Sequence, residues 1–169
     1  SKAQWQTQSF ELKGGWNAIY LHVDASHTDL LDSLGYDSTN ISQSPIEQIW
    51  AWVPKINSIQ YIQSPENPLN NSGRWAEWKK NDLSSSELDK FRGNTAYLVY
   101  VNPQQNGTYN LLIKGKPVLP IYKWTTSGLN FIGFPTPTIS PPSFDQFLQH
   151  SPELHRNGEI YLYNDGALS

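Results

Sequence analysis

The sequence predicts a mainly β fold, a single sandwich or barrel-like domain with two or three short helices, and three observations carry that expectation. Two short runs, IWAWVP from Ile49 and IYLYND from Ile160, alternate aliphatic with aromatic residues. That period of two is the mark of a strand with one face toward a core. Aromatic residues make up 13% of the 169 residues while all hydrophobics make up 37%, so much of the apolar material is Trp, Tyr and Phe, which suits a pleated sheet. Finally, the two ends of the chain repeat each other. WNAIYLHV from Trp16 aligns with LNFIGFPT from Leu129, each after a glycine, with Asn17 on Asn130 and Ile19 on Ile132.

Taken in order, the first copy opens with the strand GWNAIYL. Ser26 with Asp29 three residues on then precedes LLDSL, a short helix stopped by Gly35. The strand IWAWV follows. RWAEWKK, from Arg74 to Lys80, is polar and charged without aliphatic neighbours, and reads as a loop carrying two Trp. Ser84 with Glu87 forms a capping-box pattern before LDKF and Gly93, a second short helix. AYLVYV and YNLLI flank Asn106-Gly107 and predict a β-hairpin. LPIYKW adds a strand before the second copy. That copy runs through a stiff Pro-rich connection, FPTPTISPP, to a helix capped by Ser143 and Gln146 and then to IYLY. The copies span about 12–54 and 125–164 within one domain of 1–169.

Composition narrows the function classes. A net charge of -3 with 16% charged residues gives no basic footprint, so nucleic acid is not an expected partner. Without Cys, thiolate metal sites, disulfides and thiol nucleophiles are excluded. No apolar run reaches membrane-span length, and the polar start SKAQWQTQSF does not read as a signal peptide. Abundant Asn, Gln, Ser, Thr, Pro and Gly beside few Lys and Glu fit a domain of a longer secreted parent better than a cytosolic protein. Neither a G-x-S-x-G elbow nor a phosphate loop nor a dinucleotide fingerprint occurs, and no cofactor is called for.

The segments LKGGWNAIYL, IWAWVP, RWAEW, GNTAYLV and LLIKG together resemble a Trp-rich, GWN-type module of large secreted and cell-surface bacterial multidomain proteins. The resemblance covers most of the chain from Leu12 to Gly115. It implies a β-rich, extracellular setting beside neighbouring domains and implies no catalytic residues.

Candidate ligand-binding residues follow from the indoles. Trp50 and Trp52 share one face of their strand, and Trp75 and Trp78 follow in the charged stretch with Arg74 and Glu77. Open aromatic rings stack on the apolar faces of sugar rings while amide and charged neighbours take the hydroxyls. Tyr61 extends this platform, and Asn57, Gln60, Gln63, Asn70 and Asn71 add polar groups. The expected function is therefore non-catalytic binding of a polysaccharide or glycan. A structural or adhesion module whose Trp residues fill its core is the competing expectation. His22, Asp24 and His27 could hold zinc or copper if the chain turned after Asp24, although residues of these types at a strand end more often serve turns and caps.

Overall fold

A computed structural model describes residues 4–53, 74–104, 106–121, 130–133, 140–160, 163–164 and 167–168. Tyr61, the later part of LPIYKW and the centre of IYLY fall outside them. The chain divides into two compact units, Ser1–Gly133 and Phe134–Ser169.

The first unit is built from β1 (Gln6–Leu12), β2 (Gly15–Leu21), β3 (Val23–Asp24), α1 (Leu30–Leu34), β4 (Ile46–Val53), β5 (Arg74–Lys79), β6 (Thr95–Val101) and β7 (Tyr109–Pro117). Two antiparallel sheets result, one of four strands ordered β2-β6-β4-β5 and one of three ordered β1-β7-β3. The fold is thus mainly β and sandwich-like, as predicted, and no closed barrel forms among the described residues. Its core takes Leu12, Val23, Leu111 and Ile113 from the smaller sheet and Ile19, Ile49, Trp78 and Val99 from the larger, with Leu30 and Leu34 of α1 beside them.

The turn from β1 into the start of β2 explains the GWN motif. Gly15 adopts a φ of +94°, a backbone region that side chains disfavour. Asn17 then clamps the turn, its Oδ1 accepting from the Lys13 N–H at 2.9 Å and its Nδ2 donating to the Lys13 carbonyl at 2.8 Å. After β2 the chain leaves one sheet for the other at His22. There Gln8 replaces the lost ladder bonds, donating to the Tyr20 carbonyl and accepting from the His22 N–H, both at 2.8 Å.

Three local expectations are corrected. The Asn106-Gly107 turn closes no hairpin: β6 pairs with β2 and β4, whereas β7 pairs with β1 and β3. Both edges of β6 are already occupied, so β7 has no ladder to join there and crosses to the other sheet. RWAEWK is strand β5 rather than a loop. The helix expected after Ser84 is only a 3-10 turn, Leu83–Ser85, capped by Asp82. Beyond it, the Glu87 and Leu88 N–H groups donate to the Glu77 carbonyl at 2.8 and 3.3 Å, so this stretch lines the outer edge of β5 instead of coiling. Helix α1 forms where expected, but Asp29 rather than Ser26 stands at its N-cap, and Gly35 ends it at a φ of +79°.

In the second unit α2 (Phe144–Leu148) is followed by α3 (Pro152–Asn157) and by an antiparallel pair, β8 (Tyr163–Asn164) and β9 (Ala167–Leu168). The predicted capping box is present. The Ser143 hydroxyl accepts from the Gln146 N–H at 3.2 Å, and the Gln146 side chain accepts from the Ser143 N–H at 3.1 Å. His155 Nε2 lies 2.6 Å from Asp145 Oδ1 and joins α3 to α2.

Candidate functional site

Strand alternation sorts the aromatic residues by face. In β4, Ile49 and Ala51 are buried in the core and Trp50 and Trp52 point to the opposite, outer face of the four-stranded sheet. In β5, Ala76 and Trp78 are buried while Trp75 and Glu77 take the outer face, because Trp52 stands opposite Trp75 and Trp50 opposite Glu77. Trp78, expected as part of an exposed platform, is only 2% exposed. It stands opposite Ile49 inside the core. Glu77 and Lys79 flank Trp78 in sequence but belong to the opposite face of the strand, which leaves the inner face at that point free to bury an indole.

The outer face carries more rings than the sequence reading assigned to it. Trp16 of β2 and Tyr100 of β6 lie directly opposite each other in the ladder, with ring centroids 4.9 Å apart. Trp16 meets Trp50 at 6.0 Å, Trp50 meets Trp75 at 6.3 Å, and Trp75 meets both Trp52 at 5.3 Å and Phe131 at 5.7 Å. Continuing the alternation through GWNAIYL and TAYLVYV would have found Trp16 and Tyr100. No local signal marks Phe131, which reaches the face from a segment with no strand of its own over residues 130–133.

These contacts are edge-on or steeply tilted, with interplanar angles of 88°, 59°, 68° and 63° along the chain of Trp16, Trp50, Trp75, Trp52 and Phe131. Such geometry is the favoured packing of quadrupolar rings. It does not produce a level shelf. Each of these rings is half-buried. Trp50 Nε1 donates to Gln48 Oε1 at 3.1 Å, while Trp52 Nε1 is buried and finds no acceptor among the described residues. Glu77 pairs with Lys79 at 2.8 Å. Arg74 opens β5 opposite Val53.

Beside this cluster, Ala18, Tyr20 and Ala96 with Phe131–Gly133 line a cleft of about 120 Å³. That is well below the roughly 300 Å³ at which pockets begin to enclose a small organic ligand. Gly133 lies so close to Tyr20 that a side chain there would collide with it.

His22, Asp24 and His27 are each committed elsewhere. His22 packs edge-on against Tyr20 at 5.0 Å and His27 against Trp5 at 4.4 Å. Asp24 accepts from the Ser26 hydroxyl at 2.5 Å and the Gly93 N–H at 3.0 Å. Partial burial opposes ionisation of Asp24, yet these hydrogen bonds, the Ser26 N–H and the Arg92 charge together hold its pKa below the ordinary carboxylate value. Among the described residues no three His, Asp or Glu side chains converge as metal ligands would. Comparison with family models, with curated proteins and with solved structures finds no match to this chain.

Proposed function

We propose that the chain is a non-catalytic structural or adhesion module of a larger secreted or cell-surface protein, in which the Trp residues build the fold. One observation carries this reading: the indoles are spent on one another and on the core. Trp78 fills the space between the sheets, and Trp16, Trp50, Trp52 and Trp75 interlock at steep angles across the outer face. Rings packed edge to face contribute about 0.5–1.5 kcal/mol per pair beyond their buried area. The Asn- and Ser-rich composition and the resemblance of the GWN, W-x-W and AYLV segments to a bacterial surface module support the setting.

Carbohydrate binding by the same face is the second reading. Trp50, Trp52 and Trp75 are only half-buried and have Gln48 and Glu77 beside Trp50 as partners for hydroxyls. Truncating Trp75 separates the two readings. Under the structural reading Trp75→Ala lowers the melting temperature and changes no ligand retention; under the binding reading it abolishes retention on a polysaccharide gel and leaves melting nearly unchanged.

A further inference from the structure

The opposite outer face of the first unit, on the three-stranded sheet, differs in character. Along β1 the outward positions are Thr7, Ser9 and Glu11, and Trp5 precedes them on the same side; across the ladder Lys114, Leu112 and Asn110 of β7 stand opposite the three, so that Lys114 and Lys116 lie at the Trp5 end of the row and the Glu11 carboxylate at the far end. Successive outward positions are about 6.8 Å apart along a strand, so the row spans the length of more than one sugar ring. Trp5 is 41% exposed, the only Trp among the described residues left this open. The Lys116 ammonium sits over its ring at 5.7 Å from the centroid, within reach of a cation–π contact.

Two features of this row point to the charge of a ligand. Lys114 and Lys116 form no ion pair with a carboxylate among the described residues, although the chain as a whole is acidic with a net charge of -3. Asp24 stands opposite Lys116 in the ladder, but its two oxygens are engaged by Ser26 and Gly93. A cation already held over a partly exposed indole that His27 also touches, with a second cation one strand repeat away, presents an aromatic surface and a positive charge together. The Thr7 hydroxyl completes the row, whereas the Ser9 hydroxyl donates to Asn110 Oδ1 at 2.6 Å. A neutral sugar would use the ring and waste the cations; an acidic peptide would use the cations and waste the ring.

We propose that this face binds an acidic carbohydrate, a glycan of uronic acid residues, with one pyranose ring stacked on Trp5 and its carboxylates facing Lys114 and Lys116. The site is separate from the aromatic layer on the other sheet, so it stands or falls without the structural reading of that layer.

The test is affinity electrophoresis of the whole chain in gels containing polygalacturonate, a neutral dextran or polyglutamate. Retardation by polygalacturonate alone, weakened by salt, is the expected result. Trp5→Ala lowers the affinity by about tenfold or more, which corresponds to about 1.4 kcal/mol, and the Lys114→Ala/Lys116→Ala pair lowers it comparably with Trp5 intact. Circular dichroism melting identifies any variant that fails to fold, and because the two variants change different segments of the chain, each remains informative without the other. Absence of retardation by polygalacturonate overturns the proposal. So does equal retardation by polyglutamate with no loss in Trp5→Ala, which would make the face a general polyanion or acidic-protein surface.

Discussion

The two sheets of the first unit turn opposite kinds of face outward. The four-stranded sheet presents Trp16, Tyr100, Trp50, Trp52 and Trp75, each half-buried among the others, whereas the three-stranded sheet presents Thr7, Ser9, Glu11, Asn110, Leu112, Lys114 and Lys116, each exposed. Both faces obey the same alternation, and both back onto the same core. What separates them is whether the outward residues can satisfy one another. Rings on neighbouring strands at 5–6 Å close into a second apolar layer. Lysines of like charge on one strand cannot, and stay in water or wait for a counter-charge. A face that has packed against itself is poor at receiving a ligand, and one that cannot is open to it.

The largest effect that would sharpen this contrast lies beneath the aromatic face. Trp78→Ala is expected to cost about 3–5 kcal/mol, since it empties a core position between the sheets. Chemical denaturation of the variant checks it. A loss below about 1 kcal/mol would mean that Trp78 is not a core residue. Gly115→Ala should come next. Any Cβ there meets the Asp24 carbonyl oxygen at 2.5 Å and forces β7 away from β3. Overpacking of this kind costs about 1–3 kcal/mol. Trp75→Ala follows at about 1–2 kcal/mol, because a half-buried indole loses part of its area and its contacts with Trp50, Trp52 and Phe131.

Trp78 also shows how far the sequence could be read. Strand, helix and sheet class were legible wherever a local pattern and its environment agreed, as for IWAWV, for Gly35 at the end of α1 and for the Ser143–Gln146 capping box. RWAEWKK is illegible from charge density, because charge density belongs to the whole segment whereas burial belongs to one face of it. Alternation splits it into Trp75, Glu77 and Lys79 on one face and Ala76 and Trp78 on the other. The Asn106-Gly107 hairpin failed for a non-local reason: the turn signal is genuine, with Gly107 at a φ of +77°, but it cannot report that β2 and β4 already flank β6. Of the proposed platform, the shared face of Trp50 and Trp52 was readable from spacing. The steep angles between rings were not, because they depend on which strands become neighbours.

Acid weakens the molecule at a junction between strands and loops rather than at either outer face. The pKa of Asp24 is lowered in the fold, so its contribution is fully present above the ordinary carboxylate pKa and is lost as pH falls through the lowered folded value. Asp37 and Asp82 are lowered as well, chiefly by hydrogen bonds from the Thr39 hydroxyl and from the Ser85 and Ser84 hydroxyls respectively. Melting temperature should therefore hold from neutrality down to about pH 4, the ordinary Asp value, and drop as the pH falls further. Asp24→Asn weakens the hydrogen bonds from Ser26 and Gly93, costing about 1 kcal/mol near neutrality, and flattens the acid dependence. An unchanged acid slope would assign the effect to other carboxylates.

The smallest effect belongs to the exposed face, and its smallness is the informative part. Trp5 lies outside the core cluster, and among the described residues its ring contacts are with His27 and Lys116, both exposed. Surface substitutions of this kind stay within about 0.5 kcal/mol. Trp5→Ala should accordingly melt within a few degrees of the parent, where Trp75→Ala does not. If Trp5→Ala instead destabilised the fold as much as Trp75→Ala, the exposed indole would be holding β1 to the turn after β3. The contrast between a face that packs and a face that waits would then disappear.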